Sequence, residues 1–186
     1  MVNLTVFCSS KNNLDSKYYI ESEYLINTLD INKFIIAYGG GISGLMGTVR
    51  RTFTKSGGKV ISSNVTRFVE LDKKSPDYIY IDDYVYDNID ERQQKLIALG
   101  DAYLILPGGY GTHFEMLEVM TKNDIGEESK PIFIFNLNGI FDNLIKLVDN
   151  LIAERFITRD FNRIKVFVSN NALELSDLIN NFDYKK

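Results

Sequence analysis

Residues 102–115 read AYLILPGGYGTHFE, and the fold is decided by this stretch. AYLIL is apolar without alternation, the pattern of a strand covered on both faces. A glycine-rich turn from Pro107 to Gly111 follows at once, and a helix-forming segment starts at Thr112. Strand, tight turn and helix in that order are half of a parallel βαβ unit.

The same punctuation recurs in both directions. Upstream lie LTVFCS, a helical stretch from Tyr18 to Leu29, KFIIAYG, LMGTVRRTFTKSG and KVISS. An irregular, charged segment from Thr66 to Asp77 comes next, then YIYID and a helix around Asn88 to Leu99. Downstream lie PIFIFN, a helix near Phe141 to Ala153, RIKVFVS and a last helix from Ala172. FIIAY and IFIF share the unbroken apolar character of YLIL, so the expectation is an α/β fold with a doubly wound, mostly parallel sheet flanked by helices. The 186 residues suit one domain over 1–186 with a single sheet at its core.

Composition narrows the function classes. A net charge of -4, with Lys and Arg scattered, gives no basic stripe for a nucleic-acid backbone. Cys8 is the only cysteine and His113 the only histidine, which argues against a disulfide framework, a thiolate zinc site or a multi-histidine metal centre. No leader-like or membrane-spanning apolar run is present, so the expectation is a soluble, cytoplasmic protein without a membrane or nucleic-acid partner.

Open parallel sheets place ligands beyond the carboxyl ends of their strands, at a topological switch point. Two strand ends carry glycine-rich turns: YGGGISGLMG after the second strand and PGGYGTHFE after AYLIL. Gly39, Gly41 and Gly44 fit G-x-G-x-x-G, but the next strand ends in Ser62, Ser63 and Asn64 rather than the acidic residue a dinucleotide ribose requires. Neither turn is followed by Gly-Lys-Ser/Thr, which disfavours a triphosphate loop. What remains is an anion site, with backbone N–H groups freed by glycines at helix N-termini and Thr112 offering a cap or a hydroxyl to a phosphate oxygen. Thr112-x-x-Glu115 is also a capping-box spacing, so Glu115 reads equally as a cap or as a catalytic carboxylate. Arg92, in DERQQKLIAL, reads on its own as part of a solvated helix face. His113, placed second in its helix, is expected to be exposed, and Cys8 to be core.

The paired motifs GGGISGLMG and PGGYGTHFE resemble the GGGxxGxMG and PGGxGTxxE signatures of the LONELY GUY (LOG) family, often labelled lysine decarboxylases. The resemblance extends from VFCSS to FITRDFNRIKVFVSNNALEL. It implies a Rossmann-like homodimer, without metal or organic cofactor, that hydrolyses the N-glycosidic bond of a nucleoside 5'-monophosphate such as a cytokinin riboside monophosphate or AMP. On that resemblance Arg92 and Glu115 are the catalytic residues. Gly40, Gly41, Ser43, Glu70, Gln93, Gly108, Gly109, Tyr110, Gly111, Thr112 and Thr121 are the substrate-binding ones. The chain departs from the pattern at Gln93, where lysine is usual, at Phe114, where glutamate is usual, and in the shortened segment after Ser63.

Chemically, cleavage passes through a ribosyl cation that a carboxylate can stabilise while it activates water, a role for Glu115. Arginine stays protonated, so Arg92 is expected to orient rather than titrate. The alternative is a non-catalytic protein that binds a nucleotide or a phosphorylated cofactor, like a molybdenum cofactor carrier. A decarboxylase is disfavoured because no lysine sits in a recognisable pyridoxal-phosphate setting.

Overall fold

The computed structural model describes residues 1–74, 83–157 and 160–184. Its strands are β1 (Val2–Phe7), β2 (Phe34–Tyr38), β3 (Lys59–Val65), β4 (Tyr84–Tyr86), β5 (Ala102–Ile105), β6 (Ile132–Phe135) and β7 (Val166–Ser169). Its helices are α1 (Ser16–Asn27), α2 (Gly44–Lys55), α3 (Thr66–Asp72), α4 (Ile89–Leu99), α5 (Tyr110–Asp124), α6 (Asp142–Ala153) and α7 (Ala172–Asn181).

The strands form one seven-stranded sheet in the order β4-β3-β2-β1-β5-β6-β7, and every pairing is parallel. The expectation of a doubly wound α/β fold holds, with the sheet parallel throughout. β2, β5 and β6 supply the unbroken apolar runs that a sheet covered on both faces needs. One core gathers Leu4 and Val6 of β1 against Leu25 of α1, Val49 and Phe53 of α2 and Leu175 of α7. The other gathers Phe7 and Ile105 against Leu96 of α4, Met116 and Val119 of α5 and Val148 of α6. Side chains of this kind, fully removed from water, each contribute about 1.5–3 kcal/mol.

The helices differ at their N-termini. Asp15 caps α1 by accepting from Lys17 N, Asn88 caps α4 by accepting from Glu91 N, and Asn171 caps α7 by accepting from Glu174 N. Ser43 and Gly109, at the starts of α2 and α5, make no side-chain cap.

Two local expectations change. The segment from Thr66, read as irregular, begins with α3, because its apolar Phe68, Val69 and Leu71 fall at spacings a short helix can use. The strand expected at YIYID, residues 78–82, lies outside the described residues, and the strand that pairs with β3 is Tyr84–Tyr86. The chain order reverses around β1: β2 lies on one side and β5 on the other, so α2 and α5 leave the sheet on opposite faces. That divergence opens a crevice beyond the carboxyl ends of β1, β2 and β5.

Candidate active site

The crevice is a cavity of about 650 Å³ lined by residues from all three strand ends. Cys8, Ser9 and Ser10 come from the end of β1, Gly39 and Gly41 from the first glycine turn, and Gly109 to Thr112 from the second. Arg92 and Gln93 enter from α4, and Phe114 and Glu115 from α5.

Arg92 and Glu115 meet at its floor. Arg92 Nη1 donates to Glu115 Oε1 at 2.7 Å, and the side chains are only 8% and 6% exposed. Arg92 Nε donates to Ser63 O at 2.9 Å, and Ser63 Oγ donates to Arg92 O at 3.1 Å, so β3 holds both ends of the arginine. A Cβ on Gly39 would lie 2.1 Å from Arg92 Nη2, so the glycine is what admits the guanidinium. The solvated-face reading of Arg92 is thereby replaced: α4 turns this charge inward because a carboxylate and a carbonyl await it. Burial pushes the Glu115 carboxyl above the ordinary carboxylate range, and the neighbouring Arg92 pulls it back only in part. The Cys8 thiol is pushed up by burial and by Glu115, against the opposing pull of Arg92, and stays protonated.

The capping-box reading of Glu115 also falls. The cap of α5 is Gly109, three residues before Thr112, and the Glu115 carboxylate points to Arg92 instead. Thr112 is therefore the third residue of the helix rather than its cap, buried at 3% exposure, and among the described residues its hydroxyl makes no hydrogen bond. Among the described residues nothing accepts from the N–H groups of Tyr110, Gly111 and Thr112. These orphan donors at the positive end of a helix are an anion site. The first turn is different: Gly44 N–H donates to Asn12 Oδ1 at 3.0 Å and Met46 N–H to Ser9 O at 3.2 Å. His113 is half-buried, fourth in α5, with Nδ1 2.9 Å from Gly109 O and its ring against Phe141.

With this geometry in place, similarity to known proteins becomes informative. A family model described as "Possible lysine decarboxylase" matches residues 46–178. The chain belongs to that family, the LOG family. It is 28% identical over 182 residues to the cytokinin riboside 5'-monophosphate phosphoribohydrolase LOG2 of Arabidopsis thaliana, covering 96% of this chain and 83% of that one. It is 30% identical over 156 residues to the cytokinin riboside 5'-monophosphate phosphoribohydrolase of Rhodococcoides fascians, covering 84% and 78%. In solved structures, the fold of this LOG-family chain is shared by the protein TM1055, at a TM-score of 0.69 and 19% identity over 98% of this chain and 100% of that one. It is also shared by the molybdenum cofactor binding protein of Rippkaea orientalis, at 0.66 and 14% identity over 96% and 94%.

Within the LOG-family frame, the cavity brings together Arg92, Glu115, Gly41, Ser43, Gln93 and the turn from Gly109 to Thr112. Gly40 and Gly108 shape it from behind: Gly40, at φ +80, packs on Asn64, and Gly108 leaves room for the Thr112 hydroxyl. Glu70 and Thr121 stand outside its lining. Glu70 is exposed on α3, and the acidic side chain that reaches the cavity is Asp72, about 200° further round the helix. Thr121 is exposed, donates to Leu117 O at 2.7 Å and borders a separate groove shared with Phe114 and Gln93. The residue reading missed Ser63 and Asn64, whose signal was a buried polar run at the end of an apolar strand.

Among the described residues no group of three or more His, Cys, Asp or Glu is placed to hold a metal ion, and no helix is long and apolar enough to cross a membrane.

Proposed function

We propose that this chain is a phosphoribohydrolase that cleaves the N-glycosidic bond of a nucleoside 5'-monophosphate. The observation that carries this reading is the buried Arg92–Glu115 pair set beside an uncapped helix N-terminus in one cavity. The N–H groups of Tyr110 to Thr112 and the Thr112 hydroxyl take the phosphate. The phosphate in turn fixes the ribose so that its anomeric carbon faces Glu115. As the bond from that carbon to the base nitrogen breaks, the Glu115 carboxylate stabilises the ribosyl cation and takes a proton from the attacking water. The departing base ends with the proton that Glu115 took from the water, which returns Glu115 to its carboxylate and leaves ribose 5-phosphate. Arg92 holds Glu115 by a charge-assisted hydrogen bond and does not itself titrate.

Phe68 and Leu71 of α3, Ile89 of α4 and Phe114 of α5 form an apolar wall of the same cavity, which suits the face of a purine. The substrates favoured are therefore cytokinin riboside monophosphates, the compounds named for its relatives, and AMP, which carries the same purine. A buried, raised-pKa carboxylate beside a cation is a setting for chemistry, and it favours cleavage over the carrier reading. A homodimer also belongs to this reading. Tyr110, Phe114 and Leu117 of α5, with Ile125 just past its end, make an apolar stripe that a second copy would cover, and a substrate contact by Thr121 depends on that assembly.

The deciding experiment is release of free base from AMP and isopentenyladenosine monophosphate by wild type and Glu115→Gln, with the nucleosides as controls. Cleavage of monophosphates alone, with kcat lowered roughly a hundredfold or more by the substitution, is expected. Tight binding of a monophosphate with no base released would overturn the hydrolase and leave the carrier.

A further inference from the structure

We propose that Lys11 is the cation that receives the substrate phosphate, a role that rests on the nucleotide reading of the cavity. Of the described side chains lining the cavity, Lys11 and Arg92 carry positive charge, and Asp72 and Glu115 carry negative charge. Arg92 is committed to Glu115 and to Ser63 O. Gln93 is neutral, and its amide is given to Glu118 at 2.8 Å. Lys11 is exposed and forms none of the ion pairs found among the described residues. Without it the lining would present a net negative charge to a dianion, which the amides of α5 would have to overcome alone.

The backbone of Lys11 is fixed where such a lysine is needed. Lys11 N–H donates to Ser9 Oγ at 3.1 Å, and Ser9 N–H donates to Pro107 O at 3.1 Å, which ties the segment to the second glycine turn. Asn12 Oδ1 accepts from Gly44 N–H, which ties it to the first. Gly44, at φ +58, fits closely under it: a Cβ there would lie 2.6 Å from Lys11 O. The segment from Ser9 to Asn12 thus occupies the Gly44 and Met46 amides at the start of α2 and leaves that helix end less open to an anion than the start of α5. It sets the exposed Lys11 in the lining of the cavity, whose open helix end is that of α5. The ammonium, a point charge on a four-carbon stem, reaches a phosphate oxygen without demanding fixed geometry.

Calorimetric titration of the full chain with ribose 5-phosphate, AMP and adenosine tests this in wild type, Lys11→Ala, Lys11→Arg and Lys146→Ala. Lys146, exposed on α6, is the control for a lost surface charge. Lys11→Ala is expected to weaken both phosphorylated ligands about tenfold or more, to leave adenosine unchanged and to flatten the salt dependence. Lys11→Arg should recover most of the affinity, and Lys146→Ala should match wild type. Equal affinity of wild type and Lys11→Ala for ribose 5-phosphate overturns the assignment. Base release assayed in parallel separates the two readings. Lys11-dependent binding without base release keeps Lys11 and removes the hydrolase; base release with Lys11-independent binding does the reverse.

Discussion

Arg92 and Glu115 gain their chemistry from being buried together. A carboxylate taken out of water favours its neutral form, and one guanidinium contact restores the charge only in part. If Glu115 acts as an anion, the acidic limb of kcat against pH should lie above the ordinary carboxylate range; a limb at or below that range would remove it as the acting carboxylate. The sign for stability follows from the same raised pKa. Its contribution is fully present below the unfolded pKa and is lost as pH rises through the folded one, so wild type should lose stability relative to Glu115→Gln between acidic and neutral pH. Part of this was legible in the sequence. The motifs pointed to Arg92 and Glu115 through resemblance, but the residues alone left Glu115 divided between cap and catalyst. Only the position of the true cap resolves that, and Gly109 has no side chain with which to announce it. Lys11 and Ser63 were less legible still, because their partners lie far along the chain and depend on how β1, β3 and α4 meet.

The helix ends divide the labour of the site. α1, α4 and α7 carry Asp or Asn caps and start where their sequence says they should, whereas α2 has two of its first amides taken by a neighbouring segment and α5 is left open. Two glycine substitutions, one in the first turn and one in the start of α2, should therefore have different effects. Gly39→Ala meets the end of the Arg92 side chain, which can move, so base release should collapse with a small loss of stability. Gly47→Ala meets backbone, with a Cβ 2.0 Å from Ile42 O, so thermal unfolding should reveal a loss of about 1–3 kcal/mol. The opposite ranking would show that the first turn holds ligand rather than making room for Arg92. Apolar runs located every strand but β4 within a few residues, but α3 was hidden: a helix of 7 residues is too short for its period to stand out from a charged segment.

At the scale of the whole molecule, the reversal of strand order around β1 locates the site, and the apolar stripe on α5 locates the surface on which a second copy is proposed to sit. Leu117, 44% exposed at the middle of that stripe, is the place to test it. Leu117→Lys should shift sedimentation from dimer to monomer, and an unchanged sedimentation coefficient would move the interface elsewhere. The parallel architecture was readable because strands covered on both faces have no polar alternation, but the order of the strands was not, since nothing local in β1 says which strands flank it. That order has a further consequence, for how the chain is made. β1 lies at the middle of the sheet, yet its second neighbour arrives late: Asn3 N–H donates to an Asp101 side chain 98 residues downstream. At a synthesis rate of about 5–20 residues per second, one hydrogen-bonding edge of β1 waits unpaired for several seconds while α1 to α4 emerge. The nascent chain commits to its native pairing only once more than half of it exists, and until then its most central strand is also its stickiest.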